Sequence, residues 1–335
     1  MYQPKRASRS EFVPIRNLRY HVRLWGQPRP GEPPLVMVHG WMDVAASWQF
    51  VVDAFGRERF VIAPDWRGYG LTGLAGPPQE AGAPLGGQQL HEARSVGVHA
   101  LAPTDNYWFP DYLADLDGLL DHYAGAAPVD LVGHSMGGNI AMLYAGVRPQ
   151  RIRRLVNLEG FGMAATQPEQ APGRYAKWMD DLKAYHRGEM ALKSYDSAEG
   201  VAQRLMKTNR RLPADKAAWL ARHWARQAPD GRWHVLGDAA HKIVNANLYR
   251  VDEVLAIYRR IAAPVLSVEA GDDSLGQWWK GRYTLAEYHE RLKAVSDVRL
   301  GRVADAGHML HHDRPAEVAQ LIEEFLPQPL RETPH

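Results

Sequence analysis

Solid apolar runs and amphipathic stretches take turns along most of the chain. PPLVMVHGW (33–41) is apolar at consecutive positions, as expected of a strand buried on both faces. APVLSVEAGDD (263–273) is likewise a buried strand opening into acidic residues, FVIAPDWRGYG (60–70) a strand ending in a polar, glycine-rich turn, and VDLVG (129–133), IRRLVNLEG (152–160) and DVRLGRVADAGH (297–308) are further strands. LRYHVRLWG (18–26) alternates instead and predicts an antiparallel strand. Between these runs the spacing changes to that of a helix, over 47–55, over 109–123 with leucines at 113, 116, 119 and 120, and over 315–326. Strands alternating with helices predict a mostly parallel sheet covered on both faces, with its chemistry collected at the carboxyl ends of the strands.

Two stretches break the alternation. Residues 161–255 show no clear strand and are rich in helix formers and in tryptophan (Trp178, Trp219, Trp224, Trp233), which predicts a helical cap inserted into the sheet domain. Residues 74–104 are dominated by glycine, alanine and proline without a sustained period, and predict a disordered insertion. The expected organisation is one discontinuous core, 15–160 and 256–327, with the cap at 161–255.

Composition narrows the chemistry. Forty basic against 38 acidic residues leave a net charge of +2 and no basic tract, so no nucleic-acid partner is expected. The absence of cysteine excludes a thiol nucleophile and thiolate metal ligands. The N-terminus is polar and no window approaches 18 uninterrupted apolar residues, so neither a signal peptide nor a membrane span is expected. A cytoplasmic protein is the corresponding expectation; oligomeric state is not legible in these residues.

The candidate chemistry begins with VDLVGHSMGGN (129–139). Gly133, Ser135 and Gly137 form G-x-S-x-G between an apolar strand and an apolar helix, the context of a sharp turn that lifts a serine oxygen above the sheet edge. A serine hydroxyl needs a base and the base an orienting acid. His308, after the last strand in DAGHMLHHDRP, is the expected base; His311 and His312 are expected to be solvated. Asp273, following the strand at 264–270, is the favoured acid, with Glu159 at the end of the preceding strand as its alternative and Asp272 behind both. Oxyanion donors are expected from the amides of Met136, directly after the serine, and Trp41, in the HGW loop. His39, Asp65 and Arg67 are read as architectural.

HGW, DWRGYG, GHSMGG, VEAGDD and AGHMLHHDRP occur in an order that resembles the α/β-hydrolase family, over roughly residues 15–327 outside the cap and 74–104. The resemblance implies a mainly parallel eight-stranded sheet with helices on both faces, an inserted cap, no cofactor and no metal. Serine at 135 separates the chain from haloalkane dehalogenases and epoxide hydrolases, whose turn carries aspartate; Glu159 stands where haloalkane dehalogenases commonly keep their acid. AQRLMKTNRRLP in the cap is weakly similar to serine hydrolase-like proteins. The expected function is cleavage of an ester or related acyl bond of a small, apolar substrate, of carboxylesterase type. The alternatives are a non-catalytic ligand-binding protein on the same fold and an acyltransferase or perhydrolase-like enzyme.

Overall fold

The computed structural model describes residues 2–74 and 104–326. The chain opens with an antiparallel hairpin, β1 (Ser8–Ile15) and β2 (Leu18–Trp25), then β3 (Leu35–Val38), α1 (Gln49–Ala54), β4 (Val61–Pro64) and the short β5 (Gly73–Leu74). Helix α2 (Phe109–Ala124), β6 (Val129–His134), α3 (Met136–Val147) and β7 (Ile152–Leu158) follow. Helices α4 (Ala171–His186), α5 (Ala198–Thr208) and α6 (Ala214–Trp224) are interleaved with β8 (Ser194–Tyr195), and β9 (Ala225–Gln227) and β10 (Trp233–Val235) come after them. The chain then returns through α7 (Val251–Tyr258) to β11 (Val265–Ala270), α8 (Ser274–Trp279), α9 (Leu285–Leu292), β12 (Val298–Val303), α10 (Leu310–Asp313) and α11 (Pro315–Phe325).

Eight strands lie in the order β1-β2-β4-β3-β6-β7-β11-β12, with β5 paired to β2 beside them. Within this sheet, among the described residues, the pairings along β4-β3-β6-β7-β11-β12 are parallel and the β1–β2, β2–β4 and β2–β5 pairings are antiparallel. The solid apolar runs have the expected cause. In β3, Leu35 and Met37 pack into the cluster on one face while Val36 and Val38 pack into the cluster on the other. Helices α2 and α3 cover one face through Leu116, Leu119, Ile140 and Tyr144; α1 and α11 cover the other through Val51, Val52, Val318 and Ile322.

Three differences from the sequence reading have local reasons. Strand β1 lies almost wholly upstream of the expected start of the core at 15; as an edge strand it is polar along much of its length, which hides its period. The segment expected to be free of strands carries β8, β10 and β9, a separate antiparallel sheet whose members of two or three residues are too short to show alternation. Helix α7 crosses the expected cap boundary at 255 and belongs with the core: Val254 and Tyr258 are buried there, and a Cβ on Gly146 of α3 would sit 2.1 Å from the Ile257 carbonyl oxygen. The expected disordered insertion, 74–104, falls outside the described residues except at its two ends. No helix among the described residues is long and apolar enough to cross a membrane.

Candidate active site

Strand β6 ends at His134, and Ser135 takes φ 53° and ψ −117° before α3 begins at Met136. A left-handed φ is costly for a residue with a Cβ, so the surroundings must hold it there. They do so through glycines. A Cβ on Gly133 would meet the Gly137 carbonyl oxygen at 2.4 Å, and one on Gly137 would meet the Val38 carbonyl oxygen at 2.4 Å. The turn is therefore pressed between its own first helical turn and the end of β3. The Ser135 amide donates to the Leu158 carbonyl at 2.8 Å, which ties the turn to β7 as well.

His308 follows β12 and returns over the crevice. Its Nε2 lies 2.9 Å from Ser135 Oγ and its Nδ1 lies 3.2 Å from Glu159 Oε2. A carboxylate only accepts, so Nδ1 carries the proton and Nε2 is left to accept from the serine hydroxyl. Glu159 is buried at 3 % exposure and sits just past β7 with φ 57°, a turn that sends its carboxylate into the crevice. Its Oε1 accepts from the Ala270 amide at 2.6 Å, and its Oε2 also accepts from the Ser274 hydroxyl. Three donors converge on one carboxylate, the environment of a charged acceptor. Asn157 braces the same turn: its side-chain amide donates to the Gly160 carbonyl at 2.8 Å and its oxygen accepts from the Gly160 amide at 3.1 Å.

The favoured acid is corrected by this geometry. Asp273 is exposed and caps α8, its Oδ1 accepting from the Gly276 amide at 2.7 Å. Asp272 forms an ion pair with Arg211 at 2.7 Å. The carboxylate that faces His308 is that of Glu159. Asp273 lies three positions beyond the end of β11, far enough for the chain to begin a helix and use the side chain as its cap.

The HGW loop lies against the serine. A Cβ on Gly40 would be 3.1 Å from Ser135 Cβ and 3.0 Å from His134 Nδ1, so the loop approaches as closely as a glycine permits. His39 holds it: Nδ1 donates to the Gly40 carbonyl at 2.8 Å and Nε2 accepts from the Trp66 amide at 2.9 Å. Burial pushes the His39 pKa down, which fits this neutral tautomer. Trp41 follows with its side chain 47 % exposed, and Met136 occupies the first position of α3, where helical amides have no intrahelical acceptor. Asp65 and Arg67 are structural in their bonds. Asp65 accepts from the Ala45 amide at 2.7 Å and the Leu71 amide at 2.9 Å, and Arg67 pairs with buried Asp115 at 2.5 Å.

Residues not singled out from the sequence also shape the site. Ser274 bonds Glu159, and Trp278 sets its ring edge against His308 with centroids 5.1 Å apart. Both belong to α8, whose short amphipathic run gave no sign of what it would meet. His311 and His312, expected in solvent, are buried at 1 % and 2 % exposure. His311 stacks near Trp48 and His134, and His312 meets Phe50 edge-on, so the pair is enclosed by residues distant in sequence.

Comparison with known proteins agrees with the architecture. A serine hydrolase-like protein of Danio rerio is 26 % identical over 329 residues, covering 96 % of this chain and 89 % of the relative. A 2-hydroxy-6-oxo-2,4-heptadienoate hydrolase of Pseudomonas putida is 33 % identical over 134 residues, 39 % of this chain and 38 % of its own. Among solved structures, a thioesterase domain from the curacin biosynthetic pathway superposes with a TM-score of 0.73 at 21 % identity, covering 95 % of this chain and 99 % of that one. Residues 33–315 match the α/β-hydrolase fold family, and the chain belongs to it.

Proposed function

We propose that the protein is a serine hydrolase that cleaves an ester, or a related acyl bond, of a small apolar substrate through an acyl-enzyme. The observation that carries this reading is the hydrogen-bonded series Ser135–His308–Glu159, set on a left-handed turn at the mouth of the sheet. His308 Nε2 takes the proton of Ser135 as Oγ attacks the carbonyl carbon, and Glu159 stabilises the imidazolium that forms. The amides of Met136 and Trp41 are the donors for the oxyanion. His308 then protonates the leaving alkoxide. In the second half a water gives its proton to His308, attacks the acyl carbon, and Ser135 leaves with that proton.

An apolar substrate is favoured by the large ring beside the base and by an exposed tryptophan on the loop that meets the serine. Trp278, 63 % exposed, rests on His308, and Trp41 follows the glycine that adjoins Ser135. Trp219, Trp224 and Trp233 instead pack with Val201, Leu205 and Leu220 in a cluster of their own. The test is hydrolysis of p-nitrophenyl esters of increasing acyl length. Turnover should be present, and kcat/KM should rise from acetate to a medium-chain ester. A folded protein inactive on the whole series, or one that prefers acetate, would count against this substrate class.

A further inference from the structure

Beside the serine turn, three buried side chains from three separate elements converge. They are Asp43 of the loop after β3, His134 at the end of β6 and His311 of α10, at 2 %, 2 % and 1 % exposure. One ligand-capable atom of each lies within 4.8 Å of the others. His134 and Asp43 are each held by hydrogen bonds that leave one polar atom unpaired. His134 Nε2 lies 2.8 Å from the His308 carbonyl, which only accepts, so Nε2 carries the proton and Nδ1 the free lone pair. Nδ1 has no hydrogen-bond partner among the described residues. Asp43 Oδ1 accepts from the Val44 amide at 2.8 Å, the Trp224 indole at 3.0 Å and the Ser47 hydroxyl, while Oδ2 makes no hydrogen bond among the described residues and faces only the imidazole of His311 across an ion-pair distance. His311 Nε2 stands 3.6 Å from that Oδ2, and neither of its ring nitrogens makes a hydrogen bond among the described residues.

Buried polar atoms are seldom left unpaired, and here unpaired atoms of three residues from three elements lie close together. An imidazole that donates its outer N–H to a carbonyl, and a carboxylate whose outer oxygen is fully hydrogen-bonded, are the supports that metal ligands characteristically have. A tetrahedral site with bonds of about 2.0–2.1 Å needs ligand atoms about 3.3 Å apart. The 3.6 Å between Asp43 and His311 is near that spacing, and the set as a whole, within 4.8 Å, would draw in by up to about 1.5 Å. Two imidazoles and one carboxylate suit zinc or a neighbouring first-row ion and not magnesium or calcium, which prefer oxygen ligands. We propose that Asp43, His134 and His311 form a binding site for a divalent transition-metal cation. The ion would join the loop after β3, the strand that ends at Ser135 and the segment that follows His308. Through His134 it would also fix the backbone carbonyl of His308.

The test uses untagged full-length protein produced in zinc- or cobalt-supplemented medium and passed over a chelating resin before metal analysis. The expected result is about one cation per chain. For the cobalt form, visible bands of a four- or five-coordinate ion and X-ray absorption with two imidazole ligands are expected. Asp43→Asn preserves shape and the outer hydrogen bonds, and His311→Gln removes one imidazole. Each should lower retained metal by at least the roughly 10–100-fold seen on losing an outer support of a site. Wild type free of metal after this treatment would overturn the proposal and leave His311 as a partner for the Asp43 carboxylate. So would metal retained equally by both variants. Should a variant fail to fold, the absorption spectrum of wild type decides alone, since a surface-bound ion would not show two imidazoles in a stoichiometric site.

Discussion

His308 Nδ1 faces Glu159 Oε2 at 3.2 Å, whereas Asp273, also just beyond a strand end, spends its carboxylate on the amide of Gly276. Glu159→Gln should therefore cut kcat by about 10³–10⁴, the scale of losing the acid that fixes the histidine tautomer. Asp273→Asn should change kcat little, because asparagine caps a helix as well as aspartate does. Steady-state kinetics of the two variants side by side decide the matter. A larger loss at Asp273 would move the orienting role there.

Gly133 sets a stability prediction. Its Cβ would lie 2.4 Å from a backbone oxygen, which cannot swing aside as a side chain could. Gly133→Ala should lower unfolding free energy by about 1–3 kcal/mol, the cost of overpacking, and should also reduce activity by shifting Ser135. Urea midpoints measure the first effect, and an unchanged midpoint would show that the turn has room to relax.

A buried histidine, His312, and a half-buried one, His241, give a pH dependence. Burial pushes the pKa of His312 down to about 3, and that of His241, stacked between Tyr69 and Tyr107, also to about 3. The unfolded chain protonates both near pH 6.5, so below that pH it binds protons that the folded chain refuses. Their contribution to stability is fully present above pH 6.5 and is lost as pH falls toward 3, at about 1.4 kcal/mol per pH unit for each. Urea denaturation at pH 7, 6 and 5 should show a declining midpoint, with His312→Gln flattening the slope. A midpoint constant across that range would contradict the burial of neutral imidazoles.

The parts of the site that were legible in the sequence are those set by local constraints. Ser135 lies in a turn that only small neighbours allow, and His308 lies after the last apolar run, so strand ends and chain order were enough to pair them. Choosing between Glu159 and Asp273 required more than either, because both follow strands. What separates them is the left-handed φ of Glu159 and the cap made by Asp273, which are visible only in the fold. His311 and His312 look like surface residues beside the charged Asp313 and Arg314. Their burial depends on Trp48 and Phe50, more than 250 positions away along the chain. The centre of the sheet was readable because its runs are apolar on both faces, whereas β8, β9 and β10, at two or three residues each, are too short to show an alternation.

The most direct measurement is covalent: a fluorophosphonate reacts with a serine only when a base activates it. Intact mass and peptide mapping after labelling should show one adduct per chain, on Ser135, lost in Ser135→Ala together with ester turnover. An adduct on another residue, or turnover that survives Ser135→Ala, would contradict the assignment of Ser135 and His308 as nucleophile and base.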